Sequence, residues 1–251
     1  MKRFALSALI FIIITAPAID WRREAIEWGI TGVAGTGAYI LYETGPFFDE
    51  PLIGGDTDAP LIEETVPTKW LVAGCAVAGA SILAIPPSNN GLETRYYYAK
   101  GFAQAVTLNA FATSLGKDIV GRYRPNADAR DGASYDDSSL RDSFPSGHSS
   151  MSFTAASYLS LYLWEATGDN RSASEIIGKS LLTAALAGSA TWVSRTRIED
   201  NAHRTDDVIA GAALGCAMGA GTFYYQHLRV NKIANADIAL SPTGITLIWR
   251  F

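Results

Sequence analysis

The chain has 251 residues, a formal net charge of −5 at pH 7, and 48% hydrophobic against 18% charged residues. That is enough apolar sequence for one sizeable core and too much for a disordered chain. The acidic balance gives a nucleic-acid partner no global electrostatic support, and none is expected. Cys75 and Cys216 both lie in apolar runs and read as small core residues, not as a disulfide pair.

In chain order, Lys2 and Arg3 precede an apolar run from Phe4 to Thr15, followed by "APA" at 16–18. A positive end, an apolar middle and small residues at the cut make a secretory signal, with an uncleaved membrane anchor as the alternative. Residues 19–251 then form a single domain. Six apolar segments follow, rich in small residues: Ile26–Tyr42, Trp70–Ile85, Gly101–Leu115, Met151–Trp164, Leu181–Val193 and Val208–Tyr225. They predict helices whose axes approach closely, hence an all-α fold built as a six-helix bundle. Ile245, Leu247, Trp249 and Phe251 alternate after a Ser-Pro-Thr-Gly turn, which predicts a short C-terminal β-hairpin.

A membrane span needs about 20 apolar residues, and these runs are shorter. The mean hydropathy of +0.11 is modest for a six-span protein. If all six spanned after signal cleavage, the loops after the third and fifth would face the cytoplasm. Those loops carry the chemistry, so a periplasmic or secreted helical domain is expected, soluble or resting on a membrane surface. Integral membrane placement is the alternative.

Between the third and fourth segments stands "LGKDIVGRYRP", 115–125. Lys117 and Arg124 are seven apart, so a continuing helix places both on one face, and Pro125 marks its end. Cations at a helix C-terminus are also favoured by the macrodipole alone. Asp128, Asp131, Asp136, Asp137 and Asp142 follow without calcium-loop spacing and read as a solvated loop. Nothing resembles a metal cage.

"FPSGHSSMSF", 144–153, opens the next apolar run. Ser146 can cap a helix, Gly147 lets a ligand approach the backbone, and the free N–H groups of the first turn favour a phosphate-sized anion. His148 stands beside that anion, able to donate a proton. In "SRTRIEDNAHRTDDVIAG", 194–211, Asp207 follows His203 by one helical turn and can hold one imidazole nitrogen. Arg197, six residues upstream, can reach the same anion with a planar pair of donors. His227, in the last helix, is expected at the surface.

In this order the three stretches resemble the signature of the type 2 phosphatidic acid phosphatase and vanadium haloperoxidase superfamily. That signature is Lys with Arg-Pro seven residues on, then Pro-Ser-Gly-His, then Ser-Arg, five residues, His, three residues, Asp. The first two parts are complete here; in the third, Thr196 replaces the usual Ser. The resemblance implies a metal-independent, cofactor-free phosphatase. Lys117, Arg124, Ser146, Gly147 and Arg197 would hold the phosphoryl oxygens, His203 would attack phosphorus, and His148 would protonate the leaving oxygen. "GPFFDEPLI" and "ETVPTKWL" in the acidic loop 43–68 resemble the segment before the second helix of eukaryotic-type lipid phosphate phosphatases. That implies a phosphorylated lipid substrate, reached across apolar surface near Phe47, Phe48 or Trp70. The alternatives are an acid phosphatase acting on soluble phosphomonoesters, a vanadate-dependent haloperoxidase, and a non-catalytic helical membrane scaffold.

Overall fold

Asp20 opens the first helix by accepting hydrogen bonds from the backbone N–H groups of Arg22 and Arg23, at 3.2 and 3.3 Å. Helix α1 then runs over Trp21–Thr44 and α2 over Thr68–Ala84. Helix α3 covers Leu92–Val120, and two short helices follow, α4 (Ala127–Gly132) and α5 (Asp137–Leu140). Helix α6 (Gly147–Leu161) widens into a π turn at Tyr162–Ala166, and α7 and α8 cover Ala173–Glu199 and Thr205–Ala234. Two antiparallel strands close the chain, β1 (Ala236–Ser241) and β2 (Gly244–Trp249), with Ile238 opposite Leu247. These elements come from a computed structural model, which describes residues 20–88, 91–133, 135, 137–234, 236–241 and 244–249. The signal-like segment 1–18 lies outside the described residues.

Each of the six apolar segments lies within a long helix. The count of six is corrected to eight among the described residues, because the polar stretch 125–143 folds α4 and α5. Arg130 fastens α4 on itself, donating from Nε to Asn126 Oδ1 at 3.0 Å. The apolar runs also understate the helices. α7 and residues Thr205–Asn231 of α8 are long and apolar enough to cross a membrane, which removes the length argument against spanning for these two.

The distribution of side chains agrees with apolar surroundings. Val33 on α1, Ile177 and Leu181 on α7, and Ile209 and Leu228 on α8 are all more than half exposed. Glu24, Glu27, Lys100 and Arg229 are buried inside the bundle. Large apolar side chains exposed on three helices suit apolar surroundings. The same outward turn corrects the reading of the cysteines: Cys75 is half-buried, Cys216 is exposed, and both thiols are free.

Two packing features place the chemistry. Gly211, Gly215 and Gly219 line one face of α8, where a Cβ would collide with the carbonyl oxygens of Ser146, Ser150 and Thr154 on α6. Bare backbone at every turn lets the two helices lie in contact, bringing the start of α6 against the start of α8. Below this seam, Tyr98, Phe102, Tyr158, Tyr162 and Phe223 pack edge-on and stacked as the aromatic core. His227 belongs to that core and not to the surface: it is half-buried, stacked on Phe223 and hydrogen-bonded through Nδ1 to the Tyr98 hydroxyl at 2.8 Å.

Candidate active site

The C-terminal ends of α3 and α7 and the N-terminal ends of α6 and α8 meet at one end of the bundle. Lys117 stands on the last turn of α3. Gly121, at φ 58° and ψ 30°, then stops the helix in the left-handed conformation, its N–H donating to the Lys117 carbonyl at 2.7 Å. The expected continuous helix through Arg124 is therefore not formed. Arg124 comes from the loop beyond and folds back beside Lys117. The two are held together by Asp142, which accepts from Lys117 Nζ at 3.0 Å and from Arg124 Nε and Nη2 at 2.5 and 2.9 Å. Asp142 is thus not part of a solvated loop, whereas Asp128 and Asp131 are exposed.

Across from this group, Arg197 on the last turn of α7 donates from Nη2 to Glu64 Oε1 at 2.9 Å. Glu64 arrives on the long α1–α2 loop, which is pinned by the Thr65 hydroxyl and N–H donating to the Asp200 carboxylate at 2.6 and 3.0 Å. Thr196, in place of the signature Ser, donates its hydroxyl to the Val193 carbonyl of its own helix.

Ser146 caps α6, its Oγ accepting from the Ser149 N–H at 3.5 Å, and its own N–H donates to the Asp207 carbonyl. It is fully buried behind the first turn. A Cβ on Gly147 would stand 3.9 Å from the Lys117 ammonium, so only a bare backbone leaves that space open. His148 follows on the same turn.

The sequence places the Asp207 carboxylate on His203, and the structure corrects this. The two lie 3.9 Å apart, and His203 Nδ1 instead meets the Ser143 carbonyl at 2.7 Å. A carbonyl only accepts, so Nδ1 carries the proton and Nε2 carries the lone pair. Asp207 acts one step removed. Its carboxylate accepts from the Ser143 hydroxyl at 2.6 Å, from the Arg204 N–H at 2.8 Å, and from Arg122 Nη1 at 2.7 Å. The Arg204 bond is one half of a capping box at the start of α8.

A cavity of about 630 Å³ opens here, bordered by Lys117, Arg124, Asp142, Gly147, His148, Arg197 and Glu64. It continues between α2 and α3 along Leu71, Val72, Val106 and Ala110. His203, Ser146 and Asp207 are packed directly behind its polar wall, His203 with its N–H bonded to the Arg197 carbonyl. Burial, reinforced by Arg197, pushes His148 down to about 4. Burial and then Arg124, Lys117 and Arg197 push His203 well below its ordinary value. Both rings are neutral at pH 7. Asp142 is held well below the carboxylate range by Arg124 and Lys117, which outweigh its burial.

The structure therefore brings all eight sequence-selected residues to one end of the bundle, five of them onto the cavity. Sequence reasoning missed Asp142, Glu64, Ser143 and Arg122. Arg122 lay inside the quoted motif "LGKDIVGRYRP", and its charge two residues before Arg124 was the available signal. Glu64 opens the quoted stretch "ETVPTKWL", though nothing there marked it as a partner of Arg197, and Ser143 carried no signal. The arrangement offers fixed cations, helix N–H groups and one neutral imidazole at the polar end of the cavity, with a second imidazole packed behind its wall, which suits phosphoryl transfer.

Comparison with known proteins agrees. The sequence model of the PAP2 superfamily matches residues 98–231. A PA-phosphatase related-family protein of Dictyostelium discoideum is 30% identical over 191 residues, 74% of this chain and 69% of the relative. The probable diacylglycerol pyrophosphate phosphatase 1 of Schizosaccharomyces pombe is 28% identical over 70% of each chain. Lipid phosphate phosphatase 2 of Arabidopsis thaliana is 30% identical over 68% of this chain and 64% of its own. No solved structure matches.

Proposed function

The chain belongs to the PAP2 superfamily, and from that premise we propose that it hydrolyses lipid phosphates, mono- or diphosphate esters, through a phosphohistidine on His203. One observation carries the reading. Arg197 Nε and Nη1 and His148 Nε2 are buried without a hydrogen-bond partner among the described residues. An unsatisfied buried polar group costs about 1–3 kcal/mol, so the open Arg197 donors, beside an unpaired imidazole nitrogen, favour a ligand that satisfies them.

Lys117, Arg124, Arg197 and the Gly147 N–H take the phosphoryl oxygens. His203 Nε2 attacks phosphorus as the P–O bond to the leaving group breaks, and His148 gives that oxygen its proton. His148 by itself is neutral at pH 7. The incoming phosphate adds negative charge beside it, which raises its pKa and supplies the protonated form when needed. Water then attacks the phosphohistidine and gives its proton to His148 as the P–N bond breaks. Fixed cations neutralise the transition state, so no metal is assigned a role. Ser146 sets the helix start, and Asp207, through Ser143, keeps His203 in the reactive tautomer.

The lipid part of the reading rests on surface. The apolar arm of the cavity between α2 and α3 suits acyl chains. Phe47, Phe48 and Trp70 are each more than half exposed near the site end, and the apolar outer faces of α7 and α8 suit a bilayer. The test is phosphate release in the presence of chelator, with phosphatidic acid in mixed micelles and a soluble aryl phosphate in parallel. Phosphatidic acid is expected to be preferred at least tenfold. Replacing Phe47 and Phe48 with Ser is expected to lower lipid turnover at least fivefold more than aryl turnover. Equal turnover of both substrates, unchanged by that replacement, would favour a soluble-ester phosphatase.

A further inference from the structure

Asp142 and Glu64 are carboxylates bordering the cradle that the reaction just described does not use, and Asp142 is the one set between two of its cations. A phosphate site gathers cations, yet here a carboxylate stands between two of them, on Lys117 Nζ and on both Nε and Nη2 of Arg124. It is not behind the site, because it borders the same cavity as Gly147, His148 and Arg197. An ionised carboxylate only accepts hydrogen bonds, through about four lone-pair positions. Its bonds to Arg124 and Lys117 occupy three of them. We propose that Asp142 reads the protonation state of the substrate phosphate, accepting a hydrogen bond from the P–OH of a singly ionised phosphomonoester and repelling the dianion. The inference rests on the phosphatase reading above and specifies which ionic form of the substrate that site takes.

The charged groups around Asp142 come from every side of the site. Lys117 and Asp118 face it from α3, Arg124 from the following loop, Arg130 from α4 and His203 from the α7–α8 connection. The cations dominate, so Asp142 stays ionised through neutral and mildly acid pH. The proton that changes in this range is the phosphate's, whose second pKa is about 6. Glu64 on Arg197 works in the same direction by removing further positive charge from the cradle. Activity on phosphomonoesters should therefore rise as pH falls towards 5.5, for a reason located in the substrate.

Sulfate separates this effect from histidine titration, because it has the size and charge of a phosphate dianion and no proton at any working pH. Binding of inorganic phosphate and of sulfate is measured by calorimetry on the detergent-solubilised full chain, at pH 5.5 and 8.0. Wild type is expected to bind phosphate at least tenfold more tightly than sulfate at pH 5.5, with the preference shrinking at pH 8.0. In Asp142→Asn the amide can donate, so the two anions should bind within about threefold of each other at both pH values. Asp142→Glu should restore the preference. A wild type that binds sulfate as well as phosphate at pH 5.5 would overturn the proposal. So would an Asn variant that weakens both anions equally and keeps their ratio, which is the mark of a carboxylate that only positions Arg124. If neither anion binds wild type at either pH, the phosphate site itself is wrong.

Discussion

Two clusters of buried charge stand at opposite ends of this bundle, built from the same residue types. At the far end Glu24 and Glu27 of α1 meet Lys100 of α3 and Arg229 of α8. Glu24 takes Lys100 at 2.5 Å and Arg229 at 3.0 Å, and Glu27 takes the same two at 2.6 and 2.8 Å. Tyr96 and Tyr225 add hydroxyl bonds to the two carboxylates, at 2.8 and 2.6 Å. Half-exposed Arg23 adds a further pair to Glu27 at 2.9 Å, and every one of the four buried groups is paired. At the site end, among the described residues, Lys117, Arg124 and Arg197 pair with Asp142, Glu64 and, at 3.5 Å, Asp200, while Arg197 keeps donors, and His148 a ring nitrogen, without hydrogen-bond partners. A closed ion cluster fastens three helices. An open one waits for an anion. Charge and burial alone do not distinguish them; unsatisfied donors do.

That contrast can be broken at either end. The largest effect is expected at the far end, where Arg229→Met leaves Glu24 with Lys100 alone and Glu27 with Lys100 and the half-exposed Arg23. Removing one partner of a buried pair costs about 3–5 kcal/mol, so the unfolding midpoint in detergent should drop steeply while turnover per folded molecule stays within twofold. A midpoint unchanged by this substitution would show that the cluster fastens nothing. At the site end Arg197→Ala should do the reverse. It should lower kcat/KM by about 10²–10³, the usual effect of deleting one transition-state donor, with a small change in midpoint.

The pH dependence of stability comes next. His148 sits at about 4 in the folded chain against an ordinary 6.5, through burial first and Arg197 second. As pH falls below 6.5 the unfolded chain takes up this proton and the folded chain does not. Stability present above 6.5 is therefore lost progressively towards pH 4, and His203 contributes in the same direction. His148→Asn should flatten that slope in denaturant titrations between pH 6.5 and 4. Saturating phosphate should flatten it too, by raising the histidine pKa in the folded state. The smallest effect belongs to Glu64→Gln, which loosens one side of Arg197 and should change KM by a few-fold with kcat nearly constant.

How legible all this was in the sequence depended on the range of the interaction. The helices were visible because their apolar runs recur, and Lys117, Arg124, His148, Arg197 and His203 were visible as fixed spacings that survive folding. What failed depended on geometry across elements. The one-turn spacing of His203 and Asp207 implied direct contact, but residues 200–204 form the connection before α8, so Asp207 reaches Ser143 instead. The spacing of Lys117 and Arg124 implied one helix, but Gly121 stops it and Asp142 draws the two together. Asp142 looked like its exposed neighbours Asp128 and Asp131, since only the fold of α4 and α5 decides which aspartate turns inward. The outward apolar faces of α7 and α8 were diluted in sequence by the polar residues those helices bury.

The central claim is that His203 forms the covalent bond to phosphorus. The most direct measurement is rapid acid-free quenching of the enzyme during turnover of radiolabelled phosphatidic acid, followed by mapping of the labelled peptide. Label is expected on His203, stable to base and lost in acid, and absent from His203→Ala. Label that persists in His203→Ala, or turnover in that variant equal to wild type, would contradict it.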